Sequence, residues 1–484
     1  MAGSVVEEEV ETAKEDVRRP LHKYWWPVAL QREFSDGKPH AITLLGQKYV
    51  VWKSDEGFHC ADDRCVHRFA PLSEGRVLSN GCLSCSYHGW KFDREGKCVS
   101  VPQADEGLQE SVRNNPKSRL NTYPTKVAAG MIFVYPDGEE GAWEAAAKES
   151  LPISPVLAES EKVNPDDINV FMRDLPYGYE LLCENLLDLA HLPFSHHGVG
   201  NLQRDKGAPM AMRLLPPTPD AHSGVAPEFE VKVETGDPIP STDTKIRFFT
   251  PGHIRYERHM PAGPKRTVPF NVELFATPTE HGRSRVFLTN KGAPAGGPAA
   301  QTVEDVPVVL KEGGVLRNAF LCAWALLFAT TLRERLMPVW SKEARRSASH
   351  MFSHIIFDGD GIFLRLQGER MTSGEGLGFS DYFTPTSSDV TVLRFRRWLA
   401  SIPRGERPFA SAFKAPIPYL TLTREQMLDR HASHTAQCAS CTLVAHILRL
   451  QQRGLAALAA AAFLSASACL GLGGPVAWGL GAAL

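Results

Sequence analysis

The chain reads as an α+β fold: a small antiparallel β domain, a larger domain mixing helices and strands, and an apolar helix at the carboxyl end. Three observations carry this reading. Short β-rich runs recur at residues 41–45, 49–52 and 131–135, with turn signals at Asp36-Gly37, Asp55-Glu56-Gly57 and Glu95-Gly96 between them. Many short strands broken by such turns build an antiparallel sheet. From residue 142 onward strand-like and helix-like stretches alternate, and after Arg453 no charged residue occurs to the end of the chain.

These features divide the 484 residues into an acidic lead-in (1–20), a small β domain (21–141), a larger domain (142–430), a short linker (431–453) and an apolar segment (454–484). The lead-in carries Glu7-Glu8-Glu9, which suits neither a secretory signal nor an Arg- and Ser-rich transit peptide. A net charge of −2 gives no support for nucleic-acid binding. The ten cysteines are better explained by metal ligation than by a disulfide-stapled secreted fold.

In the β domain, Cys65-Val-His67 and Cys85-Ser-Tyr-His88 form a C-x-H and a C-x-x-H separated by 17 residues. Two thiolates for one iron and two imidazoles for the other are what a Rieske [2Fe–2S] cluster requires. A Cys₂His₂ set also suits structural zinc, but zinc motifs usually pair Cys with Cys along the chain, whereas each arm here carries one of each. Gly89 and Trp90 supply a tight turn and an apolar cover. Cys60, Cys82 and Cys98 lie off the motif and read as buried small residues.

The larger domain carries a second constellation. Glu184, Asp188 and His191 fall at helical spacing on one face, and Pro193 re-aims the chain towards His196. Two His and one carboxylate form the facial triad of non-haem Fe(II) oxygenases, which leaves positions open for O₂ and substrate. His196 is preferred over His197 on spacing; the latter reads as a supporting donor or an exposed residue. The carboxylate must come from far downstream. Candidates are Asp360 and Asp358 in a Gly-flanked segment, by default a solvated turn, and Asp389 in a segment that reads as a loop.

The order and separation of these motifs resemble the α subunits of Rieske non-haem iron ring-hydroxylating oxygenases. A closer resemblance is to the plant and algal tetrapyrrole branch, comprising pheophorbide a oxygenase, chlorophyllide a oxygenase and a relative at the chloroplast inner-envelope translocon. It rests on His22-Lys-Tyr-Trp-Trp-Pro-Val28, Ala70-Pro-Leu-Ser-Glu-Gly-Arg76, the stretches starting at Tyr382 and Phe395, and Asp429-Arg-His-Ala-Ser-His434 leading to Cys438-Ala-Ser-Cys441. Val66 departs from the Pro that relatives usually carry between the cluster ligands.

The resemblance implies a helix-grip-like catalytic domain, one Rieske cluster and one mononuclear non-haem Fe(II). It selects Asp360 as the third iron ligand, beside His191 and His196. It also implies a homotrimer in which Asp188 bridges a cluster-ligand imidazole and an iron-ligand imidazole of adjacent subunits, with Glu184 or Asn185 supporting the iron. The implied partners are ferredoxin or a similar reductase, O₂ and a hydrophobic chlorophyll-derived tetrapyrrole, in a chloroplast membrane, inner envelope or thylakoid. The competing reading is an envelope redox or import-associated protein with little oxygenase activity.

Two features remain. Cys438-x-x-Cys441 reads as a redox pair, as a half-site for metal, or as inert thiols, and the resemblance implies a thioredoxin contact there. The nineteen uncharged residues 454–472 are just long enough for one weakly apolar membrane span flanked by Arg449 and Arg453. The uncharged run 318–332 is short for a second span and is expected to cover an apolar pocket or touch a membrane surface.

Overall fold

A computed structural model of the chain describes residues 19–34, 37–163, 168–261, 267–291, 338–372, 377–403 and 421–469. It divides into two compact units. The first comprises Met1–Val309 and Ser353–Asp429, the second Leu310–Phe352 and Arg430–Leu484.

The amino-terminal part of the first unit holds three small antiparallel sheets. One pairs β1 (Trp26–Leu30) with β11 (Met131–Val134) and β10 (Thr125–Ala128). A second runs β2 (His40–Leu44), β3 (Gln47–Ser54), β4 (Gly57–Asp62) and β9 (Thr122–Tyr123). The third, β5 (Arg76–Val77), β6 (Leu83–Ser84), β7 (Lys91–Phe92) and β8 (Cys98–Ser100), is made of strands only two or three residues long. Strands that short gain little from their own ladder, and burial steadies them. Leu83 and Phe92 are fully buried in a core with Val50, Trp52, Leu72 and the two motif cysteines Cys65 and Cys85. The off-motif Cys60, Cys82 and Cys98 are buried as well.

The rest of the first unit is organised on one seven-stranded antiparallel sheet. Its order is β12 (Val170–Leu175), β18 (Ser284–Lys291), β17 (Thr267–Pro278), β16 (His253–Pro261), β15 (Thr242–Phe249), β14 (Phe229–Thr235) and β13 (Ala211–Leu215). Phe248, Ile246 and Ile254 alternate towards the face covered by the helices Tyr179–Leu187 and Val390–Ser401, where Phe248 meets Phe395 and Trp398 edge-on. This alternation is the two-residue period expected of a sheet with one face in a core.

The small sheets and the large one are joined by a few polar contacts among apolar packing. Thr277 Oγ1 donates to the Pro27 carbonyl at 2.7 Å. Arg285, on β18, forks onto Asp174 of β12 at 2.6 and 2.9 Å and donates from its third nitrogen to the Val28 carbonyl at 2.6 Å. A planar guanidinium satisfies a carboxylate and a backbone carbonyl at once, which an ammonium on a flexible stem does not reproduce.

The second unit contains the first part of a long helix, Pro338–Thr372, which continues into the first unit. The segment expected as a linker is helical: Arg430–Ser433, Thr435–Gln437 and the start of the helix Ala439–Cys469. Among the described residues no helix is long and apolar enough to cross a membrane, against the expected span at 454–472. The uncharged part of this helix, 454–469, is rich in Ala, Ser and Gly and is therefore only weakly apolar. Residues 470–484 and the apolar run 318–332 lie outside the described residues.

Replacing Arg285 by Met keeps the apolar stem but removes all three donated bonds. The expected cost is about 1–3 kcal/mol, read as a lower denaturant midpoint with an unchanged slope.

Candidate metal centres

The two cluster-motif loops are built alike. In the first, Cys65 N donates to Ala70 O at 2.8 Å and Phe69 N to Cys65 O at 2.9 Å. In the second, Cys85 N donates to Trp90 O and Gly89 N to Cys85 O, both at 2.9 Å. Each loop therefore closes on a residue four positions after its cysteine, and both of those residues are left-handed: Phe69 at φ 61° and Gly89 at φ 73°. Gly89 adopts this freely, whereas Phe69 bears the steric cost in the other arm.

The loops bring like groups together. The Cys65 thiol is buried and hydrogen-bonds with Cys85. Burial pushes Cys65 up to about 12, while the backbone N–H groups of His67 and Arg68 pull it back. A thiol so reluctant to ionise alone is held as thiolate when bound to a cation. The imidazoles of His67 and His88 meet edge-on at 4.6 Å, and Trp90 stacks on His67 at 5.0 Å. Burial, with the neighbouring charges of His88 and Arg68, lowers His67 and favours the neutral ring that ligates iron. The thiol end faces the core, and the His67 end reaches the surface beside exposed Phe69 and Tyr87. Thiols on one side and imidazoles on the other is the donor arrangement of a Rieske cluster.

The second constellation is assembled differently from the single helical face expected. The helix Tyr179–Leu187 stops at Asp188, which takes an extended conformation, and His191 sits just ahead of a separate short helix, Leu192–Ser195. Pro193 lies in the first turn of that helix, where its missing N–H costs nothing. The turn at 188–190 is pinned by Ala190 N donating to Asp188 Oδ1 at 2.7 Å.

Asp360 does not sit in a solvated turn. It lies deep within the long helix Pro338–Thr372 and is buried. Its Oδ2 is 3.2 Å from His196 Nε2 and 3.7 Å from His191 Nε2, and the two Nε2 atoms are 3.3 Å apart. Three donors with these separations can share one ion at bond lengths of about 2.0–2.2 Å, and two His with one carboxylate on a single face is a donor set suited to Fe(II). His196 Nδ1 is buried with no hydrogen-bond partner among the described residues, so the ring is held by its packing and its Nε2 side. Burial raises the Asp360 carboxyl. The hydrogen bond with His196, the charges of both imidazoles and a 2.6 Å bond from Ser195 Oγ outweigh it and bring the carboxyl below its usual range.

Asp358, the near competitor, faces elsewhere. Two residues apart on a helix point about 200° apart, and Asp358 pairs with buried Arg173 at 2.7 Å. Asp389 caps the turn at Thr386, its Oδ2 accepting from Thr386 N at 3.0 Å and from Thr386 Oγ1 at 2.6 Å. Gly359 is what allows the long helix to approach: a Cβ there would stand 2.9 Å from His196 Nδ1 and 3.2 Å from the Ser195 carbonyl.

The supporting residues divide. Asp188 Oδ2 lies 3.3 Å from His191 Nδ1, and Asn185 Nδ2 lies 3.4 Å from His191 Nε2. Burial lowers the His191 imidazole, but the hydrogen bond with Asp188 and the charge of Asp360 outweigh it and raise the ring. Glu184 turns away from the three donors. It pairs with Arg396, accepts from Tyr382 Oη at 3.4 Å, and is raised by burial against those partners. Gln367 donates to the same Tyr382 at 2.6 Å, so the stretches at 367, 382 and 396 support one another around the Tyr179 helix. His197 is exposed and accepts from Arg204 N at 3.3 Å.

Cys438 and Cys441 are buried thiols, and sequence reasoning missed their neighbours: His350 and His434 converge on them. The spacing His434-x₃-Cys438-x₂-Cys441 was a legible signal for one of the two; His350 comes from a distant helix and left none. A third grouping, His22, Asp137 and Glu139, is partly exposed, with Glu139 already paired to Lys23 at 2.6 Å.

Residues 24–124 match the Rieske [2Fe-2S] domain family. The chain is 29% identical over 449 residues to pheophorbide a oxygenase of Oryza sativa subsp. japonica, covering 90% of this chain and 75% of that protein. It is 28% identical over 455 residues to flavonoid 8-hydroxylase 2 of Ocimum basilicum, covering 93% and 79%. Both relatives are chloroplastic. Among solved structures, NdmB of Pseudomonas putida CBB5 shares the fold at a TM-score of 0.52 and 20% identity, covering 86% of this chain and 97% of that one.

Two substitutions test the geometry. Gly89→Val forces a branched residue to positive φ against Pro102 Cγ at 3.2 Å; at a cost of about 1–2 kcal/mol, cluster absorbance should be lost at lower temperature than in the wild type. Gly359→Ala should displace the helix and lower bound mononuclear iron, measured by metal analysis, while cluster absorbance persists. The chain carries a Rieske [2Fe–2S] domain and is homologous to chloroplast pheophorbide a oxygenases, and its two donor sets suit one Rieske cluster and one mononuclear iron.

Proposed function

We propose that this oxygenase acts on a chlorophyll-derived tetrapyrrole in the manner of pheophorbide a oxygenase, taking single electrons from ferredoxin or a similar reductase in a chloroplast. The observation that carries the substrate class is the similarity to pheophorbide a oxygenase across 90% of the chain. Cys65, Cys85, His67 and His88 are assigned to the cluster, and His191, His196 and Asp360 to the mononuclear iron. Bound there, the iron supplies O₂ activation for oxygenation.

The chain's own residues perform the positioning. Asp188 Oδ2, 3.3 Å from His191 Nδ1, favours a proton on that nitrogen and so the tautomer that leaves Nε2 towards His196 and Asp360. Ser195 occupies Asp360 Oδ1 and leaves Oδ2 for the shared centre. On the cluster side, Trp90 covers one face of His67 and leaves the ring edge at the surface. The assembly we assign is a homotrimer in which Asp188, about one-third exposed, would meet a cluster imidazole of a second copy.

The flavonoid 8-hydroxylase relative covers 93% of this chain at nearly the same identity, which favours a flavonoid as the second substrate reading. Protein reduced anaerobically through ferredoxin should therefore be given O₂ with pheophorbide a, chlorophyllide a, protochlorophyllide a and a flavone in parallel. Oxygen incorporation into pheophorbide a is the expected result; turnover of the flavone alone would replace the substrate assignment. Asp360→Ala should reduce iron from about three to two atoms per chain, keep the cluster absorption and abolish turnover, whereas Asp358→Asn should keep all three irons. Turnover by the Asp360→Ala variant would overturn the ligand assignment.

A further inference from the structure

The second unit holds a donor set that oxygenase chemistry does not use. His350 lies on the long helix, His434 just after the short helix Arg430–Ser433, and Cys438 and Cys441 bracket the first turn of the helix Ala439–Cys469. All four are buried, His350 fully so, and one ligand atom from each lies within 4.8 Å of the others. His350 Nδ1 is 3.6 Å from Cys438 Sγ and 3.4 Å from Cys441 Sγ, and His434 Nε2 is 3.3 Å from Cys441 Sγ.

Those distances are informative. A tetrahedral ion with Zn–N bonds of about 2.0–2.1 Å and Zn–S bonds of about 2.3 Å has ligand-to-ligand edges of roughly 3.3–3.8 Å. The mixed thiol–imidazole edges here fall in that range. In the Rieske motif, thiols neighbour thiols and imidazoles neighbour imidazoles, because two irons each take one kind. In the second unit Cys438 meets both the other thiol and the imidazoles, and all four ligand atoms lie within 4.8 Å of one another, so the donors close around a single centre. A tetrahedral S₂N₂ set selects zinc or an iron–sulfur cluster, and the single centre leaves zinc.

We infer that His350, His434, Cys438 and Cys441 form a closed, four-coordinate structural zinc site that fastens the long helix to the start of the carboxyl-terminal helix. On binding, the two thiols lose their protons and the two thiolates balance the ion's charge, with both imidazoles neutral. Thr442 N donating to Cys438 O at 2.9 Å shapes the Cys-x-x-Cys turn so that both sulfurs point the same way. Thiols this buried are shielded from the in-line attack that disulfide exchange with another protein requires, so the pair is a ligand pair and not a disulfide switch.

The test is metal analysis of the full chain, purified without chelator. The wild type should hold about one zinc per chain in addition to its iron, and Cys438→Ser/Cys441→Ser should lose the zinc while cluster absorbance is unchanged. If that variant fails to fold, Co²⁺-substituted wild type decides: intense tetrahedral d–d bands with sulfur-to-cobalt charge transfer support the site, and a spectrum without them overturns it. His350→Cys, which keeps four ligands, should retain the metal. Wild-type protein without zinc, zinc retained in the double Ser variant, or a Cys438–Cys441 disulfide found by mass spectrometry in freshly purified protein would each overturn it.

Discussion

The rest of the larger site depends on one buried carboxylate held between two imidazoles. Asp360 sits in the interior of a long helix, and its charge is tolerated there because His196, His191 and Ser195 surround it. A carboxylate buried without partners costs several kcal/mol or takes up a proton. The helix must therefore dock at one rotation and one depth, and its neighbours are arranged to enforce both. Gly359 removes the Cβ that would hold it off, and Arg173 captures Asp358, so that only one of the two closely spaced acids can turn to the histidines.

The histidines meet that helix because their own segment breaks. A continuous helix through Glu184, Asp188 and His191 would carry His196 around to another face. Ending the helix at Leu187 and restarting at Leu192 places both Nε2 atoms on one point, with Asp188 in the turn between them. Glu184, left on the first helix, is used instead to anchor Arg396 and Tyr382, whose neighbours Phe395 and Trp398 fill the core under the large sheet.

The chain also contains two Cys₂His₂ sets that geometry tells apart. In the Rieske motif the two loops repeat one backbone pattern and keep thiols and imidazoles on separate sides, one side in the core and the other at the surface. In the second unit the donors interleave and all are buried. The same four side chains thus serve different chemistry according to whether they surround one centre or flank two.

Much of this was legible in the residues. Alternating short strands and turns, the C-x-H and C-x-x-H arms, and the His191/His196 pair are local patterns, and local patterns follow from backbone geometry and donor chemistry over a few positions. The order of the motifs carried the family. Other features were not legible because they depend on contacts between distant segments. Helical spacing alone could not reveal that the chain breaks at Asp188, since the turn is held by tertiary packing. Nor could it distinguish Asp360 from Asp358, two acids in near-identical sequence surroundings separated only by the rotation of a docked helix. The carboxyl-terminal run is long enough for a bilayer by residue count, but its Ala, Ser and Gly content leaves the described helix too weakly apolar. Cys438-x-x-Cys441 left a redox pair, a metal half-site and inert thiols all open, because the neighbouring His350 lies 88 residues away from Cys438 in the chain. The sequence by itself determined the donor types and the Rieske loops, which are built from neighbours. Only the tertiary structure decided which distant carboxylate and which distant imidazole complete each centre, because a ligand set closes in space, through helix docking and burial, and not along the chain.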